Sequence, residues 1–92
     1  MSCQARLDVP GTLHHVIIRG IERRQIMDDQ KDRSGFVVRM GELALKTGTT
    51  IFAWALLTNH AHILLCSGPE GLSRFMRRLL TGYSVMYNRR HH

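Results

Sequence analysis

No stretch of this chain approaches the roughly 18 consecutive apolar residues that a membrane-spanning helix requires. The N-terminus carries no basic-then-apolar leader pattern either. A secreted or membrane-embedded protein is therefore not expected, and the cytoplasm is the expected location. Cysteine is scarce. Cys3 and Cys66 are too few and too far apart to suggest a disulfide framework or a zinc ribbon. Cys66 lies in an apolar segment and reads as a small buried hydrophobe; Cys3 sits in a polar tail and carries no signal. Repeats, linkers and low-complexity tracts are missing, and acids are the minority charge. With 92 residues, of which 43% are hydrophobic, the chain can form one domain with a single modest core, and disorder is excluded.

What is abundant is arginine. Thirteen Lys and Arg face seven Asp and Glu, a formal charge of +6, and all the cations except Lys31 and Lys46 are arginines. The guanidinium pairs with phosphate through a fixed fork of donors. The cations gather as Arg19, Arg23 and Arg24 near the start, and as Arg74, Arg77, Arg78, Arg89 and Arg90 near the end, with few acids among them. A solvated helix face explains most charge runs. Two clusters of one sign point further, to a nucleic-acid partner.

Five elements are predicted. Pro10-Gly11 is a turn, and Thr12 to Arg19 is a strand centred on Val16, Ile17 and Ile18. After a polar connection from Gly20 to Met27, Asp28 or Asp29 caps a helix. Its apolar positions Phe36, Val37, Met40, Leu43, Ala44 and Thr47 recur at three- and four-residue steps, and Gly48 closes it. Strands follow at about Thr50 to Leu57 and His60 to Cys66, forming a hairpin across Thr58-Asn59. Ser67-Gly68-Pro69 ends that hairpin. A last helix spans about Gly71 to Asn88, with Leu72, Phe75, Met76, Leu79, Leu80, Tyr83 and Tyr87 on one stripe. Arg74, Arg77, Arg78 and Thr81 occupy its other face.

This order, β-α-β-β-α, predicts an α+β domain of the ferredoxin-like split βαβ kind, with an antiparallel sheet and helices packed on it. The strand that would complete the pattern after the last helix is missing from residues 1–92, so the domain looks cut short and the first strand is an exposed edge. The third strand is expected in the middle, beside the first.

That third strand opens on His60-Ala61-His62. Alternation along a strand sends both imidazoles to one face and Ala61 to the other. Spacing alone leaves two readings open: two packed histidines at a strand end, or half of a divalent metal site.

Thr12-Leu13-His14-His15-Val16, Arg19-Gly20, Arg23-Arg24 and Asp32-Arg33 before Phe36 occur in order. Leu57-Thr58-Asn59-His60-Ala61-His62-Ile63-Leu64-Leu65 follows, then Leu72-Ser73-Arg74-Phe75-Met76-Arg77-Arg78 and Tyr83-Ser84-Val85-Met86-Tyr87-Asn88-Arg89-Arg90-His91. This succession resembles the REP-associated tyrosine transposases, members of the single-tyrosine HUH transposases, in which HUH denotes His, hydrophobic residue, His. The resemblance runs from about Arg6 to His92. It implies that His60 and His62 help hold Mg²⁺ or Mn²⁺ over a scissile phosphate. It further implies that a tyrosine attacks single-stranded or hairpin DNA to form a phosphotyrosine link.

Two departures stand out. Ala61 is smaller than the residue many relatives place between the histidines. Nothing in the chain matches the Tyr-Ile-His-x-Asn-Pro type of segment that carries the family's nucleophile and usually its third metal ligand. Tyr83 and Tyr87 are the substitutes at hand, but both lie on the apolar stripe, where a core tyrosine is the ordinary reading. His15, on the neighbouring strand, is another candidate near the metal; a packed strand histidine is the plainer account.

The resemblance thus implies a metal-assisted nicking and rejoining enzyme whose nucleophile lies outside residues 1–92, and the charge clusters make Arg19, Arg23, Arg24, Arg74, Arg77 and Arg78 the residues expected to contact DNA. The alternative is a non-catalytic module that binds single-stranded DNA or an RNA hairpin. A plain RNA-binding split βαβ domain is disfavoured because Phe52 and Trp54, its only potential stacking residues, are expected to be buried. Pairing of two chains through the open first strand is also expected.

Overall fold

The computed structural model describes residues 11–20 and 26–91. In chain order these form β1 (Leu13–Arg19), α1 (Gln30–Thr47), β2 (Thr50–Leu56), β3 (His60–Cys66) and α2 (Leu72–His91). The strands make one antiparallel sheet in the order β1-β3-β2. Fold class, element order and the central place of β3 are as expected. The last helix runs one turn further than predicted, and Arg90 and His91 belong to it.

Local chemistry explains the boundaries. Asp29 has extended backbone and its carboxylate accepts from the Asp32 amide at 3.0 Å, an N-cap worth about 1 kcal/mol. Gly48 ends α1 with φ +71, a left-handed conformation that costs glycine little, and its amide returns to the Ala44 carbonyl. The β2–β3 ladder slips one residue between Ile51 and Ala53, which leaves Phe52 as a bulge on the edge strand.

Both helices cover the same face of the sheet. Ala61, Ile63 and Leu65 of β3 point into a cluster with Met27, Phe36, Met40, Leu43, Phe75, Leu79 and Tyr83. Each large side chain buried there contributes roughly 1.5–3 kcal/mol. The Phe36 and Tyr83 rings meet edge to face at 5.2 Å across the two helices. Gly35 faces the same junction, where a Cβ would lie 2.6 Å from the flexible end of Met86. The opposite face of the sheet has no helix among the described residues.

Three expectations about burial change. Phe52 and Trp54 are 54% and 49% exposed, not buried, because β2 is an edge strand with no further strand beside it among the described residues. Val37 is half-buried rather than core. Cys66 is buried as foreseen, yet it is disulfide-bonded and not a simple thiol hydrophobe. The other cysteine, Cys3, lies outside the described residues.

Candidate functional site

The uncovered sheet face is where the histidines emerge. On β3, His60, His62 and Leu64 alternate with the buried Ala61, Ile63 and Leu65. Pairing builds rows across this face. Arg19 stands opposite His60; Ile17, His62 and Ala55 form the next row; His15, Leu64 and Ala53 form the third. The His60 and His62 rings lie 5.1 Å apart, tilted at 76°. The predicted shared face is therefore present.

Each imidazole has one nitrogen engaged. The Nδ1 of His60 lies 2.8 Å from the Asn59 side-chain oxygen, and the Nδ1 of His62 lies 3.1 Å from the Nε2 of His15. The His15 ring stacks on His62 at 5.3 Å. Those contacts orient the rings and leave the two Nε2 atoms as the ones able to take an ion, the usual arrangement in which a second nitrogen fixes the tautomer. His15 is thus not an isolated strand histidine but the immediate support of His62.

Small residues keep this surface open. Ala53, Ala55 and Leu64 floor a hollow of about 330 Å³ beside His15 and His62. A smaller one of about 100 Å³ lies between Arg19, Gly20, Asn59 and His60.

The arginines divide. Arg19 is exposed at the end of β1, against His60. Arg23 and Arg24 lie outside the described residues. Arg74, Arg77 and Arg78 are exposed on the outer side of α2, whose inner stripe of Phe75, Leu79 and Tyr83 packs on the sheet face away from the histidines. They are accordingly not brought together with His60 and His62. Nor are they free of acids: Glu70 pairs with Arg74 at 2.8 Å and lies 3.6 Å from Arg78. Arg90, counted with the same basic run, is committed elsewhere.

Arg90 belongs to a second polar cluster, one that the strand-based reading of the sequence missed. Its guanidinium holds Asp29 at 3.0 and 3.1 Å and also bonds Asp32, whose side chain is fully buried. His91 contacts Asp32 at 3.0 Å and Asp28 at 3.3 Å, and the Asp28 amide donates to Asp32 at 2.8 Å. Burial opposes ionisation of Asp32, but the Asp28 amide, His91 and Arg90 outweigh it and hold the carboxyl below its ordinary range. The Arg90 hydrogen bonds likewise hold Asp29 well below that range. Asp28, Asp32 and His91 form the one trio of metal-type ligands, within 4.8 Å of one another, among the described residues. Every member already has a partner within the cluster, so it ties the start of α1 to the end of α2. Three aspartates in five residues, with Asp29 at a cap position, were the available signal.

The two tyrosines take part in the same clasp. Tyr83 is buried and its hydroxyl donates to the Ile26 carbonyl at 2.5 Å; desolvation pushes its pKa up, with nearby Asp32 and Tyr87 adding to the shift. Tyr87 donates to Asp28 at 2.8 Å, and that bond, with some desolvation, pushes its pKa up to about 12. A nucleophile needs its phenolate made easier to form, whereas both environments make it harder. Both hydroxyls also lie on the helical side of the sheet.

No helix among the described residues is long and apolar enough to cross a membrane. No curated protein and no solved structure matches the chain significantly. The family model described as "Transposase IS200 like" does match, over residues 8–92, and so takes in both arginine clusters, the His60-Ala61-His62 strand and the whole of α2. The chain belongs to the IS200-like transposase family.

Proposed function

We propose that this chain is the histidine-bearing part of a metal-dependent HUH transposase of the REP-associated kind, acting on single-stranded or hairpin DNA. The observation that carries this reading is the pair of imidazoles projecting from the uncovered face of β3, each with one nitrogen oriented and the other available.

The donor set suits Mg²⁺ or Mn²⁺ only in part. Two imidazoles can anchor such an ion, and its remaining positions would go to water, phosphate and a further protein ligand. When bound there, the cation supplies charge neutralisation at the phosphoryl oxygen. His60 and His62 are the residues that would hold it; His15 positions His62, and Arg19 offers a guanidinium to a neighbouring phosphate. The attacking tyrosine forms a phosphorus–oxygen bond as the bond to the 3′ oxygen breaks, leaving a 3′ hydroxyl and a phosphotyrosine. We assign that role to a tyrosine outside residues 1–92, because the hydroxyls of Tyr83 and Tyr87 are tied into the clasp.

The same tied hydroxyls favour the second reading, a non-catalytic module that binds structured single strands. The readings part at the metal, since only the first requires an ion on His60 and His62. Under either, β1 is an edge among the described residues, and pairing of two chains through it belongs to the proposal.

In the test, the polypeptide is offered hairpin, single-stranded and duplex DNA of the same sequence with Mn²⁺, and then denatured. The expected outcome is retention of the first two over duplex with no denaturant-resistant adduct. Equal affinity for duplex sinks the substrate assignment. An adduct that disappears in Tyr83→Phe or Tyr87→Phe moves the nucleophile onto α2.

A further inference from the structure

We infer that Trp54 is a stacking platform for an unpaired nucleobase, with Arg33 taking an adjoining phosphate. The inference rests on the single-stranded DNA reading above and adds a base-binding site to it.

Trp54 lies on edge strand β2, paired with Ile63 of β3, and is 49% exposed. A buried tryptophan contributes packing, whereas one left half in water on an edge strand forgoes much of that stabilisation. Its surroundings have the chemistry of a nucleotide. Between β2 and α1 lies a hollow of about 490 Å³, walled by Trp54, Leu56, Val37 and Val38 and edged by Arg33 and Gln30. Val38 is itself 59% exposed, so the apolar wall is accessible. Arg33 is anchored by its Nε, which donates to the Leu56 carbonyl at 3.4 Å, and this keeps the guanidinium at the rim of the hollow. A flat apolar and aromatic wall with a cation at its rim accepts a base on one side and its phosphate on the other. Gln30 adds an amide able to bond a base edge.

The position relative to the histidines is what makes the site useful. Trp54 is the chain neighbour of Ala55, and Ala55 is the strand partner of His62. Alternation sends Ala55 to the His62 face and Trp54, paired with the buried Ile63, to the helix side, so the platform lies around the β2 edge from the His62 row. Trp54 also borders the hollow that His15, His62 and Leu64 share. A single strand leaving the histidines would cross the small side chains Ala53 and Ala55 and turn around the β2 edge to reach Trp54. A duplex cannot offer a base there without unstacking it. The +6 charge of the chain makes a polyanion the fitting occupant, in preference to a second copy of the same basic chain.

Trp54 is the only tryptophan, which makes the test direct. The whole polypeptide is titrated with short oligothymidylate and with an abasic strand of equal length. Binding is followed by anisotropy of a labelled strand and stacking by Trp54 emission. Quenching by oligothymidylate, none by the bound abasic strand, and an affinity loss of about 5- to 150-fold in Trp54→Leu support the site. Trp54→Phe should recover part of that loss. Oligothymidylate that binds without quenching overturns the inference while leaving the DNA reading intact; absence of binding overturns both. Unchanged affinity in Trp54→Leu, or an emission change on self-association without DNA, also overturns it.

Discussion

Two histidine-containing clusters sit on opposite sides of this sheet, and they differ in how completely their members are used. At the junction of α1 and α2, Asp28, Asp29, Asp32, Arg90, His91 and Tyr87 satisfy one another, with Asp32 sealed from solvent. On the open face, His15, His60 and His62 form a short chain of contacts that leaves the Nε2 atoms of His60 and His62 without a hydrogen-bond partner among the described residues. By ligand type alone the first cluster is the better metal site, since it brings two carboxylates and an imidazole within 4.8 Å. By satisfaction it is the worse one. A cation there would have to displace Arg90 from Asp32 or sit beside it at like charge, and Tyr87 already occupies Asp28. The proposed site is accordingly chosen by unmet bonding capacity on an accessible surface and not by ligand identity.

Metal binding gives the sharpest way to break this contrast. Mn²⁺ titration followed calorimetrically should give a modest affinity that is lost in the His60→Ala, His62→Ala double variant and kept in His91→Ala. Loss in His91→Ala and retention in the double variant would exchange the roles of the two clusters.

Stability should show the reverse pattern. Asp32→Ala removes a buried carboxylate that takes bonds from the Asp28 amide, Arg90 and His91. Urea unfolding should register a loss of about 2–3 kcal/mol, while single alanine variants of His60 and His62 stay within about 0.5 kcal/mol. Acid sharpens the test. Asp29 and Asp32 have pKa values depressed below the ordinary 3.8. Their stabilisation is therefore complete above that value and fades as pH falls through it toward their folded-state values. The wild type should lose this increment on acidification, and Asp32→Ala should lose less.

The smallest effect concerns two arginines, one beside each cluster. Arg19→Gln should flatten the salt dependence of single-strand binding by roughly 0.7 in log–log slope, the signature of one phosphate contact, without altering stability. Arg90→Gln should lower stability and leave the slope unchanged. If both change the slope equally, the clasp is also a DNA-binding surface.

The order of elements, a cap at Asp28 or Asp29, the closing glycine at 48, the position of β3 and the common face of His60 and His62 were all readable in advance. Each depends on local periodicity or a local hydrogen bond, and these are properties of a few consecutive residues. The exposure of Trp54 was not, because an apolar run such as Ile51-Phe52-Ala53-Trp54 looks the same whether the strand is central or at the edge. Only the β1-β3-β2 order settles that. The engagement of Arg90 in the clasp was not legible for a related reason. Its partner Asp29 is 61 residues away, and composition counts a cation as available wherever it falls.

The sequence by itself determined which residues could carry chemistry and which way they alternate. Tertiary structure decided which of them are already satisfied. Helices placed on one face of the sheet bury Tyr83 and Asp32 against partners distant in the chain; they leave His60 and His62 on the other face, because two helices can cover only one side of three strands, and Trp54 stays half in water because β2 is at the sheet edge.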